Sequence, residues 1–263
     1  MDETIKRTSS PAPLYRALRP GLWLLGLLCL AALGFFAWQS FYPVSAAEDW
    51  SVHVAHRDVA KAASLMPMPD GSLMDLNSRS MVAVHYVKGQ RGIELKQGEA
   101  MFSVEHDTSR PFVVSAGAGQ VTVTGTRFDV RRDDDQTRVV VEAGTVKVQG
   151  RTSDAVVTLT AGRGTHVDDR GQVAAAYAVN PEELTAWRTG KLVFNNATLG
   201  EVAREVSRYR EQPLRVSTPA VSNLRLTSVF KSTDTDALLK ALPHILPVAL
   251  RTLPDGSQEI ISR

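Results

Sequence analysis

From Asp70 to about Ala175 the sequence alternates apolar and polar residues in one short run after another, and this period of two is what most restricts the fold. Successive side chains of a strand leave opposite faces, so each run has one face to bury. The runs include Met81 to Tyr86, Gly92 to Leu95, Ala100 to Val104, Phe112 to Val114, Gln120 to Val123, Arg127 to Val130, Thr137 to Val141, Gly144 to Val148 and Val156 to Leu159. Turn signals separate them at Pro69-Asp70-Gly71, Lys88-Gly89, Gln97-Gly98, Ala116-Gly117, Gly150 and Gly162-Arg163-Gly164. Many short strands with glycine turns predict an all-β domain, a sandwich or solenoid-like, over residues 66–175. Residues 43–65 read as a tether carrying the first strands.

After Asn180-Pro181 the pattern changes. Pro181 suits the first turn of a short helix reaching Trp187, and Lys191 to Phe194 reads as a strand. Thr198 and Glu201 form a capping box for a helix whose Leu199, Val202, Val206 and Tyr209 share one face. Strands follow at Leu214 to Val216 and Leu224 to Phe230. Asp234 or Thr235 then caps a second helix, and a hairpin across Pro254-Asp255-Gly256 ends the chain. The order, β-α-β and then β-α-β-β, predicts a small two-layer α/β domain over residues 180–263, built from two similar halves.

Gly21 to Trp38 contains no charged residue, and the aromatic edge at Phe41-Tyr42 extends it to a predicted transmembrane helix over residues 21–42. Lys6, Arg7, Arg16 and Arg19 precede it, while Glu48 and Asp49 follow. The positive-inside rule therefore places residues 1–20 in the cytoplasm as a short tail and the remainder beyond the inner membrane. Val44-Ser45-Ala46 also suits signal peptidase, so a cleaved signal peptide is the alternative; both give an exported C-terminal part. The single cysteine, Cys29, lies inside this segment, which leaves the exported part without a thiol for a disulfide, zinc site or nucleophile. Hydrophobic residues make up 43% of the 263, enough for a packed core. Thirty basic residues nearly match 28 acidic ones, so no global field draws the chain to nucleic acid, which is not an expected partner.

Asp133-Asp134-Asp135 invites a calcium reading, but the alternating ligands, sharp-turn glycine and later bidentate glutamate of a calcium loop are missing. Strand patterns flank the aspartates, which predicts a solvated hairpin turn. The six histidines are scattered, and only His53 and His56 lie three apart, without a third ligand near them. Ser103, Ser115 and Ser153 sit in no nucleophile elbow, and the glycine clusters lie between strands, without the helix start that phosphate loops use. Arg204, Arg208 and Arg210, set among Glu201, Glu205 and Glu211, read as a solvated helix face. No catalytic, cofactor or metal site is expected, and no enzyme.

Pro69-Asp70-Gly71-Ser72, Leu76-Asn77, Arg91, Gly98-Glu99-Ala100, Phe102-Ser103-Val104, Arg110-Pro111-Phe112, Gly125-Thr126 with Phe128-Asp129-Val130, and Val141 to Val148 together resemble the FecR family of inner-membrane sigma-factor regulators. Trp187-Arg188-Thr189-Gly190-Lys191-Leu192-Val193-Phe194, Arg208-Tyr209 and Pro247 to Arg263 resemble that family's C-terminal domain, similar to the secretin and TonB N-terminal (STN) fold. The resemblance implies a single-pass signal transducer of cell-surface signalling. Its periplasmic C-terminal domain would sense the signalling domain of a TonB-dependent outer-membrane receptor for iron, siderophore or haem. Stepwise cleavage by periplasmic and intramembrane proteases would then reach an extracytoplasmic-function sigma factor. The family's tryptophan-containing cytoplasmic helical domain has no counterpart in Met1 to Pro20, so direct sigma-factor binding is the implied property that this sequence supports least. Family matches are structural glycines and core aromatics; the partner surface is instead expected at an edge strand. It would be Leu224 to Phe230, with Leu224, Arg225, Leu226 and Thr227, or Lys191 to Phe194, with Lys191 and Leu192, pairing with a strand of the partner. A secreted or anchored β-rich envelope protein that binds polysaccharide is the alternative from another class.

Overall fold

The computed structural model describes residues 50–56, 64–87, 89–152 and 154–263. The tail and apolar segment expected over residues 1–42 lie outside them. Among the described residues no helix is long and apolar enough to cross a membrane.

The period-two runs become strands β1 (Trp50–His56), β2 (Ser64–Pro67), β3 (Leu73–Leu76), β4 (Ser80–Val87), β5 (Gln90–Ser103), β6 (Phe112–Ala116) and β7 (Gly119–Val123). They continue with β8 (Arg127–Arg132), β9 (Gln136–Ala143), β10 (Thr145–Gly150), β11 (Val156–Thr160), β12 (Arg163–Asp168) and β13 (Tyr177–Ala178). One layer runs β1-β4-β5-β6-β7-β10-β11 and the other β2-β3-β5-β8-β9-β12-β13, so β5 belongs to both. All neighbours are antiparallel except β5 and β6. The inward residues of both layers form one core, with Phe102 at its centre, 5.6 Å from Phe112 and 5.3 Å from Phe128 between ring centroids.

Gln97-Gly98, which reads as a turn, is a bend within the continuous β5. Up to Gln97 the strand pairs with β4, and from Gly98 it pairs with β8 in the other layer. Gly98 has φ +91°, and a Cβ there would stand 2.5 Å from Ser80 Cα, so only glycine lets the strand turn between layers. Arg91, buried in the core, fastens the crossover between β5 and β6. It pairs with Asp70 at 2.8 Å, donates to the carbonyls of Glu105, Asp107 and Arg110, and lies over the Phe112 ring. Burial works against ionised Asp70, yet hydrogen bonds from Ser72 and Arg91 hold its carboxyl below the ordinary range.

The C-terminal part contains α1 (Pro181–Leu184), a 3-10 turn (Ala186–Thr189), β14 (Lys191–Thr198), α2 (Leu199–Ser207), β15 (Leu214–Val216) and α3 (Pro219–Ser222). β16 (Arg225–Lys231), α4 (Thr235–Ile245), β17 (Val248–Thr252) and β18 (Gln258–Ser262) complete it. The Thr198–Glu201 capping box forms as its sequence suggests, and Asp234 caps α4. The strands do not make one layer: β14 pairs with β16 alone, and β15-β18-β17 is a separate sheet. Leu192, Phe194, Leu199, Val202, Leu226, Leu238 and Ile260 belong to a second core shared by both sheets and the helices.

Candidate functional site: the cleft beneath helix α2

The two cores meet along the polar side of α2. Arg208 Nη2 donates to Asp133 Oδ1 at 3.0 Å, and Arg131 holds the same carboxylate through Nε at 2.9 Å while its Nη1 reaches Glu205. Arg188 Nε donates to Asp75 Oδ2 at 2.7 Å, and the Tyr209 hydroxyl donates to Asn77 Oδ1 at 2.7 Å. Burial alone would raise the carboxyl of Glu205, but Arg131 and Arg208 hold it below its ordinary range, and the same two cations do so for Asp133.

Two expectations are corrected here. The aspartates do form the β8–β9 turn, with Asp134 and Asp135 exposed, but Asp133 is a structural anchor rather than a solvated residue. The helix face of Arg208 and Glu205, expected in solvent, is turned onto the β domain, with side chains 11% and 15% exposed. The residues spaced for a surface ion-pair ladder meet a complementary set 74 and 75 positions away in sequence.

Beneath this junction the network continues into the β domain. Asn77 Nδ2 donates to Glu99 Oε2 at 2.7 Å, and Arg138 Nη2 donates to Glu99 Oε1 at 2.8 Å. Asp129, wholly buried on the neighbouring strand, has among the described residues no hydrogen bond to either carboxylate oxygen, and Arg138 Nη2 stands 3.7 Å away. Burial first, and the negative Glu99 second, push its carboxyl well above the ordinary range. Asp129 is therefore the member of this carboxyl pair whose burial favours the protonated form.

A cleft of ≈ 620 Å³ opens beside this network between the β domain and the C-terminal part. Glu99, Arg131, Asp133 and Arg138 line one wall, Trp187 and Glu205 reach it from the other side, and β14 runs along it. Among the described residues no group of three or more His, Cys, Asp or Glu could hold a metal.

The two edge strands singled out from the sequence, β14 and β16, turn out to be each other's partners. Leu192 faces Phe230 and Thr198 faces Arg225. Lys191 is exposed at the start of β14, whereas Leu192 and Leu226 are buried in the second core. The Leu224 carbonyl accepts from Leu199 N, Arg225 donates to the Asn196 carbonyl, and Thr227 Oγ1 accepts from Asn196 N. Lys191, Leu192 and Arg225 line the cleft; Leu224, Leu226 and Thr227 do not. The side chains that join the two cores, Asn77, Arg131, Asp133, Glu205, Arg208 and Tyr209, were not marked as a set by any sequence spacing.

Residues 59–147 match the family described as FecR protein. No curated protein matches the chain. Two crystal structures of a candidate anti-sigma factor from Parabacteroides distasonis ATCC 8503 share its fold. The one at 2.50 Å has TM-score 0.70 and the one at 1.65 Å has 0.69; each is 21% identical and covers 81% of this chain, and they are matched over 100% and 99% of their own lengths. At that identity the likeness is one of fold, and it extends past the β domain into the C-terminal part. Phe102, Phe112, Phe128 and the Gly98 bend all lie inside the matched stretch, so the centre of the β domain is the part of this chain that is similar to the FecR family.

Proposed function

We propose that this chain is a transmembrane signal transducer that regulates an extracytoplasmic-function sigma factor. It stands in the inner membrane through residues 21–42, its β domain and C-terminal part face the periplasm, and it answers the signalling domain of a TonB-dependent receptor for iron, siderophore or haem. The observation that carries this reading is the FecR match at residues 59–147, set in a fold shared over 81% of this chain with a candidate anti-sigma factor. The receptor docks on the β14–β16 sheet, and cleavage by periplasmic and intramembrane proteases passes the signal inward. The ion-paired junction at Asp133, Arg208, Arg131 and Glu205 supports the idea that a partner held by the C-terminal part also acts on the β domain.

Deletion of the gene tests the reading. Transcript profiles with and without it should differ in one compact set of genes sharing a promoter class, and a receptor gene should be among them. An unchanged profile under iron limitation and under iron excess would overturn it. Cell fractionation tests the placement: the chain should stay with the inner membrane, whereas a soluble form beginning at Ala47 would indicate cleavage and release.

A further inference from the structure

One wall of the cleft is the edge of a strand. A cleft lying on a strand's face meets every second residue, because successive side chains leave opposite faces. Here every position from Lys191 to Ala197 lines the cleft, which therefore runs along the edge of β14. β14 is paired on one side only, with β16, so its other side presents backbone donors and acceptors to the cleft.

The charges along that edge differ in how they are engaged. Of the acids of the cleft, Asp133 and Glu205 are held by Arg131 and Arg208 and Glu99 by Arg138, Glu183 accepts from the Asn180 and Asn195 amides, and Glu201 caps Thr198 with Arg204 and Arg225 near enough to lower its carboxyl. Three cations lining the same cleft, Lys191, Arg204 and Arg225, are exposed, and among the described residues none stands within ion-pair distance of a carboxylate. Lys191 marks one end of β14. Arg225 lies opposite Thr198 at the other, so the charges are spread along the strand. Trp187, 3% exposed, also lines the cleft, and among the described residues its Nε1 donor has no acceptor.

We propose that the cleft receives an extended acidic segment of a partner protein, which adds a strand to the open edge of β14. Its carboxylates meet Lys191, Arg204 and Arg225, and one of its acceptors takes the Trp187 Nε1 hydrogen. The proposal rests on the reading that a partner docks on this sheet, and it adds which strand is used and what chemistry the partner's segment has. Backbone pairing supplies attachment without regard to sequence, and the three cations select for charge.

The test is a displayed library of short random peptides panned on the detergent-solubilised full-length chain. The selected peptides should be acidic and alternate with period two. The variant carrying Lys191→Glu, Arg204→Glu and Arg225→Glu should select basic peptides from the same library while still melting cooperatively, because all three side chains are exposed. Each single reversal should weaken the selected acidic peptides several-fold, so the result stands even if the triple variant folds poorly. An empty selection, peptides without charge bias, or a bias that survives the reversals would overturn the proposal. If the gene deletion nevertheless alters one regulon, the regulatory reading stands and only the acidic-strand inference falls; if neither responds, both fall.

Discussion

Asp129 sits where a charge is least welcome, buried with no hydrogen bond to its oxygens among the described residues and with Glu99 beside it. Because its folded value is raised, the stability it contributes is complete below the unfolded carboxyl value of about 4 and is lost as pH rises through the folded value. Asp129→Asn keeps the shape and offers Glu99 a donor without the proton. Thermal unfolding between pH 5 and 8 should thus show a flatter pH dependence for Asp129→Asn than for the parent, and an unchanged slope would count against the neutral-acid assignment. Asp133 behaves in the opposite sense: its depressed value makes its contribution complete above the unfolded value and lost as pH falls through the folded one. Asp133→Asn should cost about 1–2 kcal/mol at neutral pH, between an exposed and a buried ion pair. Asp134→Asn and Asp135→Asn should stay within about 0.5 kcal/mol of the parent, as surface changes do. Denaturant titration separates the three. The turn containing these aspartates could be read from the flanking alternation, but the role of Asp133 could not, because Arg208 lies 75 positions away.

At the scale of elements, alternation made most of the strands visible because a half-buried strand must alternate. It could not distinguish a turn from a bend. Gly98 carries a turn signal in the sequence, yet it lets β5 change layers without ending. Gly98→Val should therefore prevent folding outright, through both its φ of +91° and the approach of Ser80; soluble, cooperatively melting protein would contradict this. Phe128→Ala removes a ring stacked at 5.3 Å on Phe102 and should cost about 3–5 kcal/mol, a large share of the roughly 5–15 kcal/mol that keeps a domain folded. Circular dichroism of the variant reports it directly. Helix α2 shows the same division of legibility. Its apolar face and capping box follow from local spacing, whereas its polar face carries the same pattern whether it meets water or a protein surface, because both accept charge.

For the whole molecule, the junction of the two cores is polar: ion pairs at Asp133, Glu205 and Asp75, and the Tyr209–Asn77 hydrogen bond. Inter-domain contacts of this kind hold geometry more than they add stability. The pair Arg208→Ala and Tyr209→Phe should accordingly leave each core intact while hydrogen exchange quickens in residues 204–210 and around Asn77. Exchange that quickens throughout both cores would mean that the junction stabilises the folds themselves. The central proposal, that this chain relays a partner's arrival at β14 into sigma-factor control, is tested most directly in cells. The chain is replaced by the variant carrying Lys191→Glu, Arg204→Glu and Arg225→Glu, and the transcripts are profiled. The account predicts that the regulon altered by deleting the gene no longer responds to iron limitation, with the variant present at parental level; a regulon that responds as in the parent would contradict it.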